Sequence, residues 1–410
     1  MLAVSTVPAG RTTEGHERHG GETERRWPDP TGVPASGGRR PGSRRPVWLG
    51  LVIGAIAALV GVTTWASRPV AGPHPSAPVS PRSPTAHPGT SGLPVLGNSA
   101  AFETSDEALN DVGDPYIVPV PGGAAGSSVP TYVLYWTTDW ASNVPTAVST
   151  DLVHWRRVAD SLPVLPSWAH VVRPPRWWSS PTGVSTMTWG PSVEPMAGGW
   201  MMYYSTEDTA SGLECIGDAF STSPTGPFVD SSTAPLVCQT ALGGDIDPSV
   251  VSTGPGRYAL VWKNDGNAVG APVGIWEQSL TSDGRSTSGS AVPLIGADQA
   301  WEHGIIEGPA MLADTKGGWW LFYSGGTWQS DTYDTGVAWC ATVSGPCTKP
   351  AQEPLLASVP TAVSPGGLDT FVGFDGTLRA SYSAFPTQPA DARAAMASPR
   401  VLEIAPILSH

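Results

Sequence analysis

A chain of 410 residues has room for one large domain or two ordinary ones, with a substantial buried core. Its 48 Gly, 43 Pro and 18 Trp, with only 14% charged residues, argue against a helical protein and suit an all-β fold with many turns, since Gly and Pro break helices while Trp packs well on pleated surfaces. The net charge of −13 conceals +3 over residues 1–46, which hold eight Arg against five acids, and −16 over the remainder; a globular part that acidic repels phosphate backbones and argues against nucleic acid as a partner.

In chain order, residues 1–46 are rich in Gly, Pro, Arg, Glu and Thr and carry no apolar periodicity, which predicts a disordered tail. Val47 to Ala66 is an unbroken run of 20 uncharged, mostly apolar residues, the length of a membrane-spanning helix. Arg39, Arg40, Arg44 and Arg45 on its N-terminal flank place that flank in the cytoplasm and everything after Ala66 outside. The expectation is a single-pass signal anchor at the cell membrane over 47–66, with cleavage and secretion as the competing reading. Residues 67–99 are a Pro, Ser, Gly and Thr stretch that reads as an unfolded linker. One folded domain is then expected over 100–410.

Within it a unit recurs, made of a polar or acidic turn, a strand, a Gly-containing turn and a strand full of aromatics. The aromatic strands are Tyr132-Val133-Leu134-Tyr135-Trp136, Trp200-Met201-Met202-Tyr203-Tyr204, Tyr258-Ala259-Leu260-Val261-Trp262, Trp319-Trp320-Leu321-Phe322-Tyr323 and the weaker Leu378-Arg379-Ala380-Ser381-Tyr382. Five units predict a five-bladed β-propeller, whose innermost strands deliver their first residues to one mouth of a central channel. The insertion Pro163 to Pro181, with Trp168, Trp177 and Trp178, is a candidate rim of a cleft. Four cysteines in the external part favour two disulfides, with the sequence neighbours Cys215 with Cys238 and Cys340 with Cys347 preferred among three connectivities.

Three acids sit in matching local settings: Asp114 in Gly-Asp-Pro-Tyr-Ile-Val, Asp247 in Asp-Ile-Asp-Pro-Ser-Val and Glu307 in Ile-Ile-Glu-Gly-Pro-Ala. They open the first, third and fourth units and so can converge on the channel mouth. Inverting hydrolysis of a glycosidic bond needs an acid to protonate the leaving oxygen and a carboxylate to activate water on the opposite face of the sugar. A third acid can raise the pKa of the donor by like-charge repulsion. Any one of these residues alone reads as a turn initiator or a strand end; the three together at matching repeat positions read as a catalytic set.

These motifs, over about residues 111–385, resemble glycoside hydrolase family 43, five-bladed propellers acting on arabinose- and xylose-containing glycans. Asp114-Pro115 is similar to the family's opening Asp-Pro with the general base, Asp247 to its central Ile-Asp-Pro acid that tunes the donor, and Glu307-Gly308-Pro309 to its Glu-Gly-Pro with the general acid. Ser149-Thr150-Asp151-Leu152-Val153-His154-Trp155, Trp189-Gly190-Pro191-Ser192-Val193 and Ser223-Pro224-Thr225-Gly226-Pro227-Phe228 resemble its non-catalytic signatures. Arabinanase-like members often carry Gly-Pro-Gly-His in the fifth blade. This chain has Ser364-Pro365-Gly366-Gly367 there, so no metal site is carried over.

The resemblance implies an inverting, monomeric glycoside hydrolase of arabinan or arabinoxylan type, needing no cofactor, with Asp114 as base, Asp247 as modulator and Glu307 as acid. Lys263 and Asn264, after the third aromatic strand, with Trp136 and Trp189, are candidate substrate-binding residues. Asp245 and Glu302 compete with Asp247 and Glu307 but lack the following Pro or Gly-Pro, and no histidine spacing suggests a metal cluster. The alternatives are a non-catalytic glycan-binding propeller and a fructan-type five-bladed hydrolase, in which the middle acid would follow Arg rather than Ile246.

Overall fold

The computed structural model describes residues 92–97, 100, 101, 109, 111–123, 128–139, 141–171, 188–196 and 198–409, all within one compact unit, His74–His410. The tail expected over 1–46, the apolar span expected over 47–66 and most of the expected linker lie outside the described residues. Among the described residues no helix is long and apolar enough to cross a membrane.

The chain enters through two short strands, β1 (Val95–Leu96) and β2 (Ala100–Ala101). The first blade is β3 (Tyr116–Val120), β4 (Thr131–Tyr135), β5 (Thr146–Ser149) and β6 (Arg156–Arg157). The second is β7 (Thr188–Met196), β8 (Gly199–Asp208) and β9 (Leu213–Ser221), extended by single bridges from Ile216 to Val237 and Phe220 to Val229. The third is β10 (Asp245–Gly254), β11 (Arg257–Asn264), β12 (Gly274–Leu280) and β13 (Thr287–Gly296). The fourth is β14 (Ile306–Ala313), β15 (Trp319–Gly325), β16 (Asp334–Cys340) and β17 (Cys347–Thr348). The fifth is β18 (Val363–Val372), β19 (Leu378–Phe385) and β20 (Val401–Ser409). Each is an antiparallel meander, and β3, β7, β10, β14 and β18 contact one another in a ring, which is the expected five-bladed propeller.

The linker expected over 67–99 ends earlier than its composition suggested. Val95 and Leu96 pair with Ser409 and Ile407, and Ala100 and Ala101 with Ile404 and Glu403, so β1 and β2 cover the outer edge of β20. An unpaired edge strand carries a row of unsatisfied backbone groups, and the entering chain satisfies them.

The aromatic strands are the second strand of each blade. Their period of two sends successive side chains to opposite neighbours. Tyr135 packs with Tyr204 between blades one and two, while Trp136 packs with Phe371 and Leu402 between blades one and five. Tyr203 meets Trp262, Val261 meets Tyr323, and Trp320 and Phe322 meet Tyr382 across the remaining three interfaces. Two disulfides, Cys215–Cys238 and Cys340–Cys347, join the sequence neighbours as expected. Trp168, expected at a cleft rim, is instead buried against Cys215, with its indole N–H on Ser232 Oγ at 3.0 Å; Trp177 and Trp178 lie outside the described residues.

The loop before β14 is fixed by Glu302, which is fully buried. Its carboxylate accepts from the backbone N–H groups of Asp298 and Gln299, from the Tyr323 hydroxyl at 2.8 Å and from Lys349 Nζ. Removing one partner of a buried pair leaves an uncompensated charge, so Lys349→Met is expected to destabilise the fold by about 3 kcal/mol. Urea unfolding checks this, and a loss below about 1 kcal/mol, the worth of a surface pair, would contradict it.

Candidate active site

The inner strands turn into the channel through one repeated corner. Asp114, Gly190, Asp247, Gly308 and Gly367 all take left-handed backbone, with φ of 51°, 49°, 56°, 57° and 62°. Pro115, Pro191, Pro248 and Pro309 follow the first four, and Leu368 the fifth. Beside four of them the ladder slips, between Trp189 and Ser192, Ile246 and Ser249, Glu307 and Ala310, and Gly366 and Asp369. A bulge of this kind re-aims a side chain at the cost of ladder bonds. The backbone asks for glycine at such a corner, and three blades supply it; the aspartates at the other two carry a conformation that non-glycine residues rarely take. The fold accepts that cost where a carboxylate is placed on the axis.

The corners touch around the ring. A Cβ built on Gly367 would stand 2.6 Å from Asp114 Oδ1, and one on Gly190 would stand 3.0 Å from Asp247 Cα. The corners and the residue after each line the channel, together with Tyr116, Ser249 and Asp369. Glu307 precedes the Gly308 corner, and Trp189 holds the matching place in blade two.

A second repeat supports the first. The residue closing each aromatic strand is Thr137, Ser205, Lys263, Ser324 or Ser383, a hydroxyl in every blade but the third. Thr137 Oγ1 accepts the Gly190 N–H at 3.1 Å and donates to Asp114 Oδ2 at 2.5 Å. Ser205 Oγ accepts the Asp247 N–H at 3.0 Å and Ser324 Oγ the Gly367 N–H at 2.9 Å. In blade three Lys263 replaces the hydroxyl, and the Gly308 N–H donates instead to Asp247 Oδ2 at 3.0 Å. The displaced ammonium, itself buried, lies 2.9 Å from Glu307 Oε2 and 3.3 Å from Asp265 Oδ1.

The three expected acids therefore come together and feel one another. Burial pushes Asp247 well above the usual carboxylate range, reinforced by the charges of Glu307 and Asp114 and opposed by Lys263. Burial also raises Asp114, against the pull of Arg400 and Thr137 and with the push of Glu307. Like charges in one dry site cannot all ionise freely, so Asp114 and Asp247 retain protons to higher pH than separate carboxylates would.

The expected binding residues fare differently. Trp136 is fully buried in the interface between blades one and five, beneath the Arg157 guanidinium, so it is a packing residue and no sugar reaches it. Asn264 is also buried. Its amide donates to the carbonyls of Leu242 and Pro272 and its oxygen accepts from the Gly274 N–H and the Trp276 indole, which uses its bonding capacity. Lys263 acts on Glu307 rather than on open space. Trp189 is half-buried and bonds the Glu214 carboxyl, which burial raises to about 8. The second-ranked acids are structural: Asp245 accepts from the Trp262 indole at 2.8 Å and from the Gln239 N–H, and Glu302 serves its loop.

Sequence reasoning missed Thr137, Ser205 and Ser324, although each directly follows the last aromatic of its strand and the recurrence could have marked them. It also missed Arg400, whose charge pulls on the Asp114 carboxyl and which local pattern does not single out. No group of three or more His, Cys, Asp or Glu able to hold a metal ion occurs among the described residues. Gly367 stands where arabinanase-like members carry histidine, with the Asp114 carboxylate against it, so the residues present do not fit a resident ion at that corner.

Residues 127–391 match the sequence profile of the glycosyl hydrolases family 43. No curated protein matches the chain. Among solved structures, a thermostable family-43 glycoside hydrolase is 22% identical with a TM-score of 0.60, covering 75% of this chain and 92% of that one. An endo-1,4-β-xylanase from Bacteroides thetaiotaomicron VPI-5482 is 24% identical with a TM-score of 0.57, covering 72% and 90%. An endo-arabinase from the same organism is 18% identical with a TM-score of 0.57, covering 77% and 98%. At these identities the likeness is one of fold.

The buried acids set a pH dependence of stability. Burial holds Asp369, which lines the channel, and Glu194 at about 7, and Glu214 at about 8. In the unfolded chain such groups lose their protons near pH 4, so between there and about pH 8 the native state binds more protons and is favoured at the acidic end. The melting temperature is therefore expected to fall as pH rises from 5 to 8.5, and a rise across that window would contradict the assignment.

Proposed function

Since the chain belongs to glycosyl hydrolase family 43 and is thereby a glycoside hydrolase, we propose that it cleaves arabinose- or xylose-containing glycans with inversion of configuration, as a monomer held at the cell surface. The observation that carries this reading is the pair of aspartates at left-handed corners where the other three blades have glycine, with Glu307 one residue before the fourth corner. In the proposed reaction Glu307 gives its proton to the glycosidic oxygen as that bond breaks. The Asp114 carboxylate takes a proton from a water that attacks the anomeric carbon from the opposite face. Asp247, the third acid of the set, is hydrogen-bonded to the Gly308 N–H and so fixes the corner that directly follows the donor. Lys263 holds the Glu307 carboxyl in place and receives it once ionised.

Trp189, at the place in blade two that Glu307 holds in blade four, offers an apolar face for a sugar ring. The pentose class rests on the family and on the names of the similar structures, a xylanase and an endo-arabinase. The surface location rests on the apolar run 47–66 and its flanking arginines; detergent-dependent release of the protein from a membrane fraction is the expected behaviour, and free protein beginning near Ser67 would contradict it.

The reaction is tested with arabinan, arabinoxylan, xylan and nitrophenyl pentosides. Glu307→Gln and Asp114→Asn are each expected to lower turnover on the competent substrate roughly 10²-fold or more, with the melting curve retained. Turnover within a few-fold of the unmodified enzyme in either variant would remove that residue from its role.

A further inference from the structure

The Lys263 ammonium needs a counter-ion that the proposed acid cannot always supply. Its side chain is 1% exposed, and two carboxyls reach it, Glu307 Oε2 at 2.9 Å and Asp265 Oδ1 at 3.3 Å. Burial opposes the ammonium, but its acidic neighbours, Glu307, then Asp265, then Asp247, outweigh that and keep Lys263 charged. A buried cation without a partner is costly. A proton donor has to carry its proton before the reaction, and Glu307 in that state is neutral. Asp247 accepts the Gly308 N–H on Oδ2, and burial with its acidic neighbours keeps it protonated where an ordinary aspartate ionises. Asp265 is then the carboxylate left to balance Lys263.

The backbone around Asp265 is fixed on both sides. It follows β11, and Asn264 before it is tied by four hydrogen bonds to Leu242, Pro272, Gly274 and Trp276. The Asp265 N–H donates to the Gly244 carbonyl at 2.9 Å, and the Asp265 carbonyl accepts the Ala268 N–H at 3.1 Å. Gly243, at a φ of 94°, permits this approach: a Cβ there would stand 2.6 Å from the Asp265 carbonyl oxygen. Lys263 of β11, Asp245 of β10 and Glu214 of β9 are the charged groups that act on or respond to Asp265, while Glu307 of β14 and Asp247 of β10 also act on Lys263.

With Glu307 as the general acid, we propose that Asp265 is a positioning residue of the reaction: paired with Lys263, it balances the buried ammonium while Glu307 carries its proton, and it fixes that ammonium beside the carboxylate that forms as the proton leaves. Without Asp265 the ammonium has Glu307 as its nearest counter-ion. A cation beside a carboxyl favours the ionised form, which has no proton to give. The pair keeps the donor loaded and still holds positive charge, already oriented, where negative charge develops.

Asp265→Asn removes the charge and keeps the shape. The alkaline limb of its kcat/KM profile is expected to move to lower pH by about one unit. Above the limb the rate on glycans then falls about tenfold, and at lower pH, where Glu307 is protonated again, the loss shrinks. Nitrophenyl glycosides, whose leaving group needs little protonation, are expected to lose less. Asp265→Ser removes the same charge with a smaller side chain and carries the test if the asparagine variant does not fold. A folded variant whose limb stays in place or moves to higher pH, or whose loss is equal at every pH and on both substrate classes, would overturn the proposal while leaving Glu307 as the acid. Full activity in Glu307→Gln would overturn both.

Discussion

A left-handed backbone corner, repeated five times around one axis, is the constraint from which the rest of the molecule follows. At such a corner a side chain costs conformational energy, and its Cβ meets the neighbouring corner at about 3 Å or less in two of the three glycine cases. Glycine is the low-energy answer for a propeller that only has to close. Two aspartates at this position, one held by the Thr137 hydroxyl of its own blade and the other by the Gly308 N–H of the next, therefore mark the axis as more than a seam.

The blades serve that axis. Five aromatic clusters fill the five interfaces, and each aromatic strand contributes alternately to both of its neighbours, so no blade moves independently of the next. That rigidity lets carboxyls from blades one, three and four stay close despite mutual repulsion. Where the repeat of hydroxyls breaks, at Lys263, a cation takes its place, and it falls beside Glu307. Breaks in the repeat, more than the repeat itself, locate the chemistry.

The strands and their number were legible in the sequence because aromatic runs at near-constant spacing can arise only from a recurring unit. The three acids were legible because an acid ahead of Pro or Gly-Pro recurs at the start of the unit, and the corner geometry gives that pattern its physical meaning. Trp136 and Asn264 were misjudged for a common reason. A strand between two blades is buried on both faces, so alternation along it cannot say which residue reaches a cleft. The linker boundary was misjudged because Val95 and Leu96 gain their partners from the other end of the chain, about 310 residues away in sequence. Arg400 was invisible because its partner Asp111 lies 289 residues away, and no local pattern joins residues so far apart in sequence.

Inversion at the anomeric carbon is the stereochemical consequence of this arrangement. Two carboxyls on opposite sides of the bond, with water between one of them and the sugar, must yield a product of inverted configuration. Proton NMR of the first product released from an α-linked arabinoside or a β-linked xyloside by the full-length enzyme reads this directly, before mutarotation mixes the anomers. The account predicts the anomer opposite to that of the substrate. Appearance of the same anomer first would mean that a carboxyl attacks the sugar itself, and would contradict the roles given to Asp114 and Glu307.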